Sequence, residues 1–295
     1  MSTIPTPPPV EPPAAPEQTG PAGEPSGRNG KTVAVVLGVV GGLAIVGTAI
    51  VAAVSAFQAA GAVDEVQTVD AGGVTALDVD VSASAFTIAF DDVDDAELDV
   101  TGSRSGWTLS RNGDELSVDR DGGLFGGWWF VGDWWGDDGP GSDETVVLTL
   151  PEALRDAGLD GDLALSGGSL TAEGAYADLD IEVGAGSLSF EGSAADLVVD
   201  VSAGRGELVV DGVSRAGLTV AAGRLDAQLT GEAPSDVAVE VSAGRLDLVL
   251  PEAEYAVDSE VTAGSFDNRL DVASSSRHAV RVEVAAGEAT IRSAR

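Results

Sequence analysis

Few residues in this chain have the chemistry to make or break bonds. Cysteine is absent and His278 is the only histidine, which excludes nucleophile–base triads and metal centres built from Cys or several His. No glycine-rich phosphate loop with its lysine occurs, since Lys31 is the only lysine. Carboxylates are plentiful: 49 Asp and Glu stand against 15 Lys and Arg, for a formal charge of -34. A cleft pair of such groups is the machinery of glycoside hydrolysis. Here, however, they recur at alternate positions of β-like runs, where acids ordinarily keep a surface soluble. Asp91, Asp92, Asp94 and Asp95 crowd one turn without the spaced ligands and glycine of a calcium loop, so they read as a solvated turn. No cofactor or metal is implied, and the expectation is a protein that is not an enzyme.

Binding chemistry is better represented. Trp128, Trp129, Phe130, Trp134 and Trp135 place four of the five tryptophans within eight residues, in a glycine-rich stretch followed by the acidic run Gly136 to Glu144. Such a cluster suits a membrane interface, a protein interface or the face of a sugar. The structural alternative is a flap that caps an open edge of the domain. Arg205, Arg224 and Arg245 recur at one position of a repeat. They read as a strip for an acidic ligand or as neutralisation of an acidic wall by Asp226 and Asp247. The negative field makes nucleic acid an unsuitable partner.

The element that must position these groups is the repeat itself. Val183-Gly184-Ala185-Gly186-Ser187-Leu188, Val201-Ser202-Ala203-Gly204-Arg205, Val220-Ala221-Ala222-Gly223-Arg224-Leu225 and Val241-Ser242-Ala243-Gly244-Arg245-Leu246 are copies of one phrase. Leu165 to Leu170, Val261 to Phe266 and Val284 to Ala289 are three more. The shared glycines Gly168, Gly186, Gly204, Gly223, Gly244, Gly264 and Gly287 stand 18 to 23 residues apart, the period of a stacked supersecondary unit. Runs such as Leu197-Val198-Val199-Asp200-Val201 and Val280-Arg281-Val282-Glu283-Val284 put a large apolar residue at every second place, as in a strand with one buried face. Each rung is expected to be strand, corner, strand, corner, with second breaks at Gly174, Gly192, Gly212, Gly231 and Pro251. Successive rungs would stack through backbone hydrogen bonds, and the glycine would supply a positive φ or a close approach at the corner. Val81 to Phe86 is a degenerate first copy, and Leu98 to Val100, Trp107 to Leu109 and Leu116 to Val118 continue the strand pattern. With no helix-length amphipathic segment between strands, the fold class is all-β: a single-sheet-stack β-solenoid over residues 76–295, carrying an aromatic loop at 120–144.

The first 75 residues read differently. Residues 1–31 hold nine of the thirteen prolines and almost no large apolar residue, which predicts a solvated, disordered tail. Thr32 to Phe57 contains no charged residue in 26 positions, enough to cross a ~30 Å hydrocarbon core as a tilted helix. Arg28 and Lys31 precede it and Asp64, Glu65 and Asp70 follow, so the tail belongs in the cytoplasm and the solenoid outside. Residues 58–75 read as a linker. Small-residue sites near Ala56 and Ala62 leave a cleaved signal peptide as the rival to an anchor. Gly38 and Gly42 form a GxxxG pair that could bring two such helices together as a homo-oligomer.

The strand Thr145 to Leu150, followed by Pro151 and the recurring Ala-Gly-x-Leu-x-Val units, resembles the bacterial putative-adhesin family of membrane-tethered β-solenoids, related to toastrack ectodomains. The resemblance covers roughly residues 76–295, and the tail and single helix fit such proteins from actinobacteria. It implies a β-repeat domain displayed outside the cytoplasmic membrane and concerned with envelope sensing, assembly or adhesion, with no catalytic motif to carry over. The expected function is a non-enzymatic envelope scaffold or sensor that engages a membrane partner or the lipid surface through the aromatic residues. The alternative is an adhesin or wall-glycan binder using the solenoid's flat face.

Overall fold

The computed structural model describes residues 63–103, 106–120 and 144–294. The tail, the apolar run 32–57 and the aromatic residues 128–135 lie outside the described residues. Within them no helix is long and apolar enough to cross a membrane.

The described chain is a succession of strands with one short 3-10 turn at Glu152–Leu154. The strands are β1 (Val63–Val69), β2 (Ala76–Val81), β3 (Ser84–Asp91), β4 (Ala96–Ser103), β5 (Trp107–Asn112), β6 (Glu115–Arg120) and β7 (Thr145–Pro151). There follow β8 (Leu159–Leu165), β9 (Gly168–Val183), β10 (Ser187–Val201), β11 (Arg205–Asp211), β12 (Arg215–Val220), β13 (Arg224–Thr230) and β14 (Asp236–Val241). The last six are β15 (Arg245–Leu250), β16 (Glu254–Val261), β17 (Ser265–Arg269), β18 (Asp271–Val272), β19 (Ala279–Val284) and β20 (Glu288–Ser293). β1 occupies part of the stretch read as a linker, where Val-Asp-Glu-Val-Gln-Thr-Val already shows strand alternation.

The rungs stack in parallel register, as the repeat predicts. One wall runs β6-β2-β8, through the second half of β9 and of β10, to β12 and β14. The other runs β7-β3, through the first halves of β9 and β10, to β11, β13 and β15. Alternate residues point between the walls, giving patterns such as buried Leu208 and Val210 on β11 and Val237, Val239 and Val241 on β14. Each such side chain contributes about 1.5–3 kcal/mol by leaving water. At the corners one rung donates to the last: Ser202 N to Val183 O at 2.8 Å, Ala203 N to Gly184 O at 3.0 Å and Arg205 N to Gly186 O at 2.9 Å.

The corner glycines are required for two different reasons. Gly186 has φ +106°, and a Cβ there would lie 2.4 Å from Gly168 O. Gly244 has no positive φ, yet its Cβ would lie 2.5 Å from Gly223 O and from a methyl of Val220. The breaks expected at Gly174 and Gly192 are bends inside the continuous strands β9 and β10. There the aromatic side chains of Tyr176 and Phe190 pack against each other at 5.8 Å across the corner.

The order of the rungs departs from sequence order at both ends. The last rung of the chain, β19 and β20, is inserted between β14/β15 on one side and β16/β17 on the other. The first rung, β2 and β3, likewise lies between β6/β7 and β8/β9. Both chain-terminal rungs are therefore flanked on two sides, and the stack ends in segments that double back. Beyond β6 and β7 the ladders turn antiparallel: β5 pairs with β6, β4 with β7, and β1 with β4.

Candidate functional site

The aromatic segment springs from a corner of the rung β6/β7, the same corner that the glycine column marks elsewhere. Its two stem residues, Arg120 and Glu144, are joined to each other and to the body of the domain. Glu144 is only 3% exposed, although the sequence places it at the end of an acidic, solvated run. Its Oε2 pairs with Arg120 Nη2 at 3.1 Å, and its Oε1 accepts a 2.8 Å hydrogen bond from Trp107 Nε1. Glu144 O accepts from Ala85 N at 3.1 Å. Arg120 lies 5.5 Å over the Trp107 ring and donates to Ser82 O at 3.0 Å. Trp107 is buried against Phe86, with ring centroids 5.5 Å apart. A carboxylate taken out of water is stable only when paired and hydrogen-bonded, and here each oxygen has its partner.

The chain comes into the domain at the same corner. Val63 is paired with Ser103 on β4, and Thr101 on β4 is paired with Thr145 on β7, next to Glu144. Two strand spacings, about 10 Å, separate the start of β1 from the stem.

Elsewhere the walls carry charge in rows. Asp78, Asp162 and Asp180 lie side by side on β2, β8 and β9. With Glu115, Asp160, Asp178 and Asp196 they line a shallow depression of about 430 Å³. Burial, then the neighbouring Asp162, pushes the Asp78 carboxyl up to about 6. Burial also raises Asp162 and Asp180. Among the described residues no group of His, Cys, Asp and Glu is arranged to hold a metal ion.

Two of the three arginines of the row are paired, and Asp226 and Asp247 both serve Arg224. Arg224 Nε pairs with Asp226 at 2.7 Å and its Nη2 with Asp247 at 3.3 Å, while Arg245 pairs with Glu288. Arg224 beside Asp226 holds that carboxyl below the usual range. The imidazole of His278, half-buried before β19, has both ring nitrogens engaged. Nδ1 lies 2.8 Å from Pro234 O, and Nε2 accepts from Arg277 Nε at 3.3 Å.

Trp128, Trp129, Phe130, Trp134 and Trp135 lie outside the described residues, as do Gly38 and Gly42. The seven repeat glycines occupy the corners. Trp107, Arg120 and Glu144 were invisible as a group to sequence reasoning. Trp107 looked like one apolar strand residue, and 24 residues separate its two charged partners.

No protein-family model matches the chain, and no curated protein matches it. Solved structures similar to it include a "putative adhesin" from Bacteroides fragilis, 13% identical, with 78% of this chain and 97% of that one covered at a TM-score of 0.46. A "putative adhesin" from Parabacteroides merdae is 12% identical, covering 80% and 97% at a TM-score of 0.40. A "putative cell adhesion protein" from Clostridium sporogenes is 10% identical, covering 79% and 100% at a TM-score of 0.32.

Proposed function

We propose that this chain is a non-enzymatic, membrane-anchored cell-envelope protein whose solenoid is an interaction scaffold. On this reading residues 32–57 are the anchor, the solenoid is extracytoplasmic, and Trp128, Trp129, Phe130, Trp134 and Trp135 contact the membrane surface or a membrane protein. The supporting observation is the shared corner: the clamped stem of the aromatic segment sits about two strand spacings from the point where the chain joins the domain. The five residues 58–62 reach at most ~18 Å when fully extended. A segment rooted there is within reach of the interfacial zone, which tryptophan favours.

The test is crosslinking and proximity labelling in intact cells with the full chain and a variant carrying serine at the four tryptophans. Loss of a membrane-protein or lipid neighbour with an unchanged fold is the expected result. Unchanged neighbours together with a less stable, aggregating variant would make the segment a cap. Retained binding to isolated cell wall as the main interaction would favour the adhesin reading.

A further inference from the structure

β1 is attached to the domain in an unusual way. Its outward residue Val66 is 58% exposed, and its inward positions Glu65, Gln67 and Val69 are only partly buried. From Asp64 to Val69 none of its side chains is fully buried, and one ladder, to β4, holds its backbone. Two side chains tie this region to the opposite wall: Arg111 of β5 holds Asp70 and Gly72 just past the end of β1, and within β1 Gln67 bridges to β5. Gln67 Nε2 donates to Trp107 O at 2.7 Å, and Gln67 Oε1 accepts from Leu109 N at 2.9 Å. The amide thus imitates a strand residue, closing the gap between β1 and the unpaired edge of β5. The residue whose carbonyl it grips is Trp107, whose indole in turn holds Glu144 and lies against Arg120.

We propose that β1 is a displaceable lock on the stem of the aromatic segment, acting through Gln67, Trp107, Glu144 and Arg120. With β1 docked, Trp107 is fixed at its backbone by Gln67 and at its indole by Glu144, and the stem is rigid. When β1 is drawn away, the edge of β5 loses both hydrogen bonds, Trp107 loosens, and the Arg120–Glu144 pair loses the group that orients it. β1 is the first strand after the stretch read as the anchor, so a pull or a competing strand arriving from the membrane side meets this lock first. Weak burial and one-sided pairing are the marks of an element drawn from the low-stability end of a fold. Coupling requires such a two-state element, which both sites bias. The inference deepens the proposed function, because it supplies the regulation of the segment named there and rests on that segment being the contact surface.

The experiment is amide hydrogen exchange on the full chain, comparing Gln67→Leu, Trp107→Phe and the double variant. Gln67→Leu keeps the β1–β4 ladder and removes both bridging hydrogen bonds; Trp107→Phe keeps the ring and removes the indole donor. Gln67→Leu is expected to speed exchange about tenfold in residues 116–120 and 145–150, leaving residues 236–241 unchanged. The double variant is expected to exchange no faster at the stem than Trp107→Phe alone, since both cut one chain of contacts. Unchanged stem exchange in Gln67→Leu, multiplied effects in the double variant, or faster exchange throughout the domain would each overturn the lock. If Gln67→Leu does not fold, Gln67→Glu is used: it retains the acceptor for Leu109 N and loses the donor to Trp107 O, and the same outcomes decide. Because this readout needs no partner, it fails independently of the four-tryptophan test, which needs no lock.

Discussion

At the scale of single residues, the acidic wall is the place where charge and folding oppose one another. Asp78, Asp162 and Asp180 stand on adjacent strands, about 4.8 Å apart by ladder geometry. Half-burial and mutual repulsion raise the Asp78 carboxyl from 3.8 to about 6. The folded chain therefore holds that proton more tightly than the unfolded chain does. Between about pH 4 and 6 the native state binds more protons, so this site's contribution to stability falls as pH rises through that window and is constant above it. Replacing Asp78 with Asn removes the repulsion. The Asp78→Asn variant is expected to be more stable than the parent at pH 7.5, by on the order of 1 kcal/mol once solvent screening is allowed for. The gap should close below about pH 4, where the parent's carboxyl is protonated in both states. Urea midpoints at several pH values check this, and an equal gap at pH 3.5 and 7.5 would refute it.

At the scale of the element, the rung corner decides which glycines matter. Gly186 combines a left-handed φ of +106° with a Cβ position 2.4 Å from Gly168 O, so Gly186→Ala meets both backbone strain and a clash with main chain. A loss of about 3 kcal/mol or more is expected. Gly217, on β12, has open space around its would-be Cβ, and Gly217→Thr should be neutral or stabilise by up to about 1 kcal/mol through strand propensity. Thermal or urea unfolding of the two variants side by side measures the contrast. The corner phrase, its period and the alternation around it were legible in the sequence because a stacked rung needs the same residue types at the same places. The stem was not legible. Glu144 closes an acidic run and only the fold shows that it is buried, and Gln67 is one polar residue in a strand whose edge position no pattern announces. Nor does alternation distinguish antiparallel β4 and β5 from parallel rungs, since both bury every second residue.

At the scale of the whole domain, the unexpected feature is the order of the rungs. Sequence copies carry the same pattern, so pattern alone cannot say that the seventh phrase stacks on the fifth. The connections permit it: nine residues, 270–278, join β17 to β19 and carry the chain back across one rung. The inserted rung is the better packed of the last two. Val280, Val282, Val284, Ala289 and Ile291 are at most 3% exposed. In β16 and β17, polar Ser259 and Asn268 face Val282 and Ile291 from the neighbouring positions. Ser259 and Asn268 are themselves exposed, and polar residues in the core columns suit a terminal rung, which leaves Val261, 42% exposed, as the large apolar residue of that row in β16. A stop after Arg277 tests the order directly. In a solenoid stacked in sequence order, β16 and β17 would keep their ladder to β14 and β15. In the order found here, all their rung-to-rung pairing is with β19 and β20, so residues 256–269 should lose protection although their own sequence is intact. Hydrogen exchange and limited proteolysis of the truncated chain are expected to show rapid exchange and cleavage within 254–277. Residues 168–230 should stay protected, because each rung is stabilised chiefly by its neighbours. Protection retained across 256–269 would mean that the cap can step down one rung onto β14 and β15. Ser259 and Asn268 oppose that step, since they would then lie against Val239 and Leu248, which alignment through the inserted rung puts in the same columns.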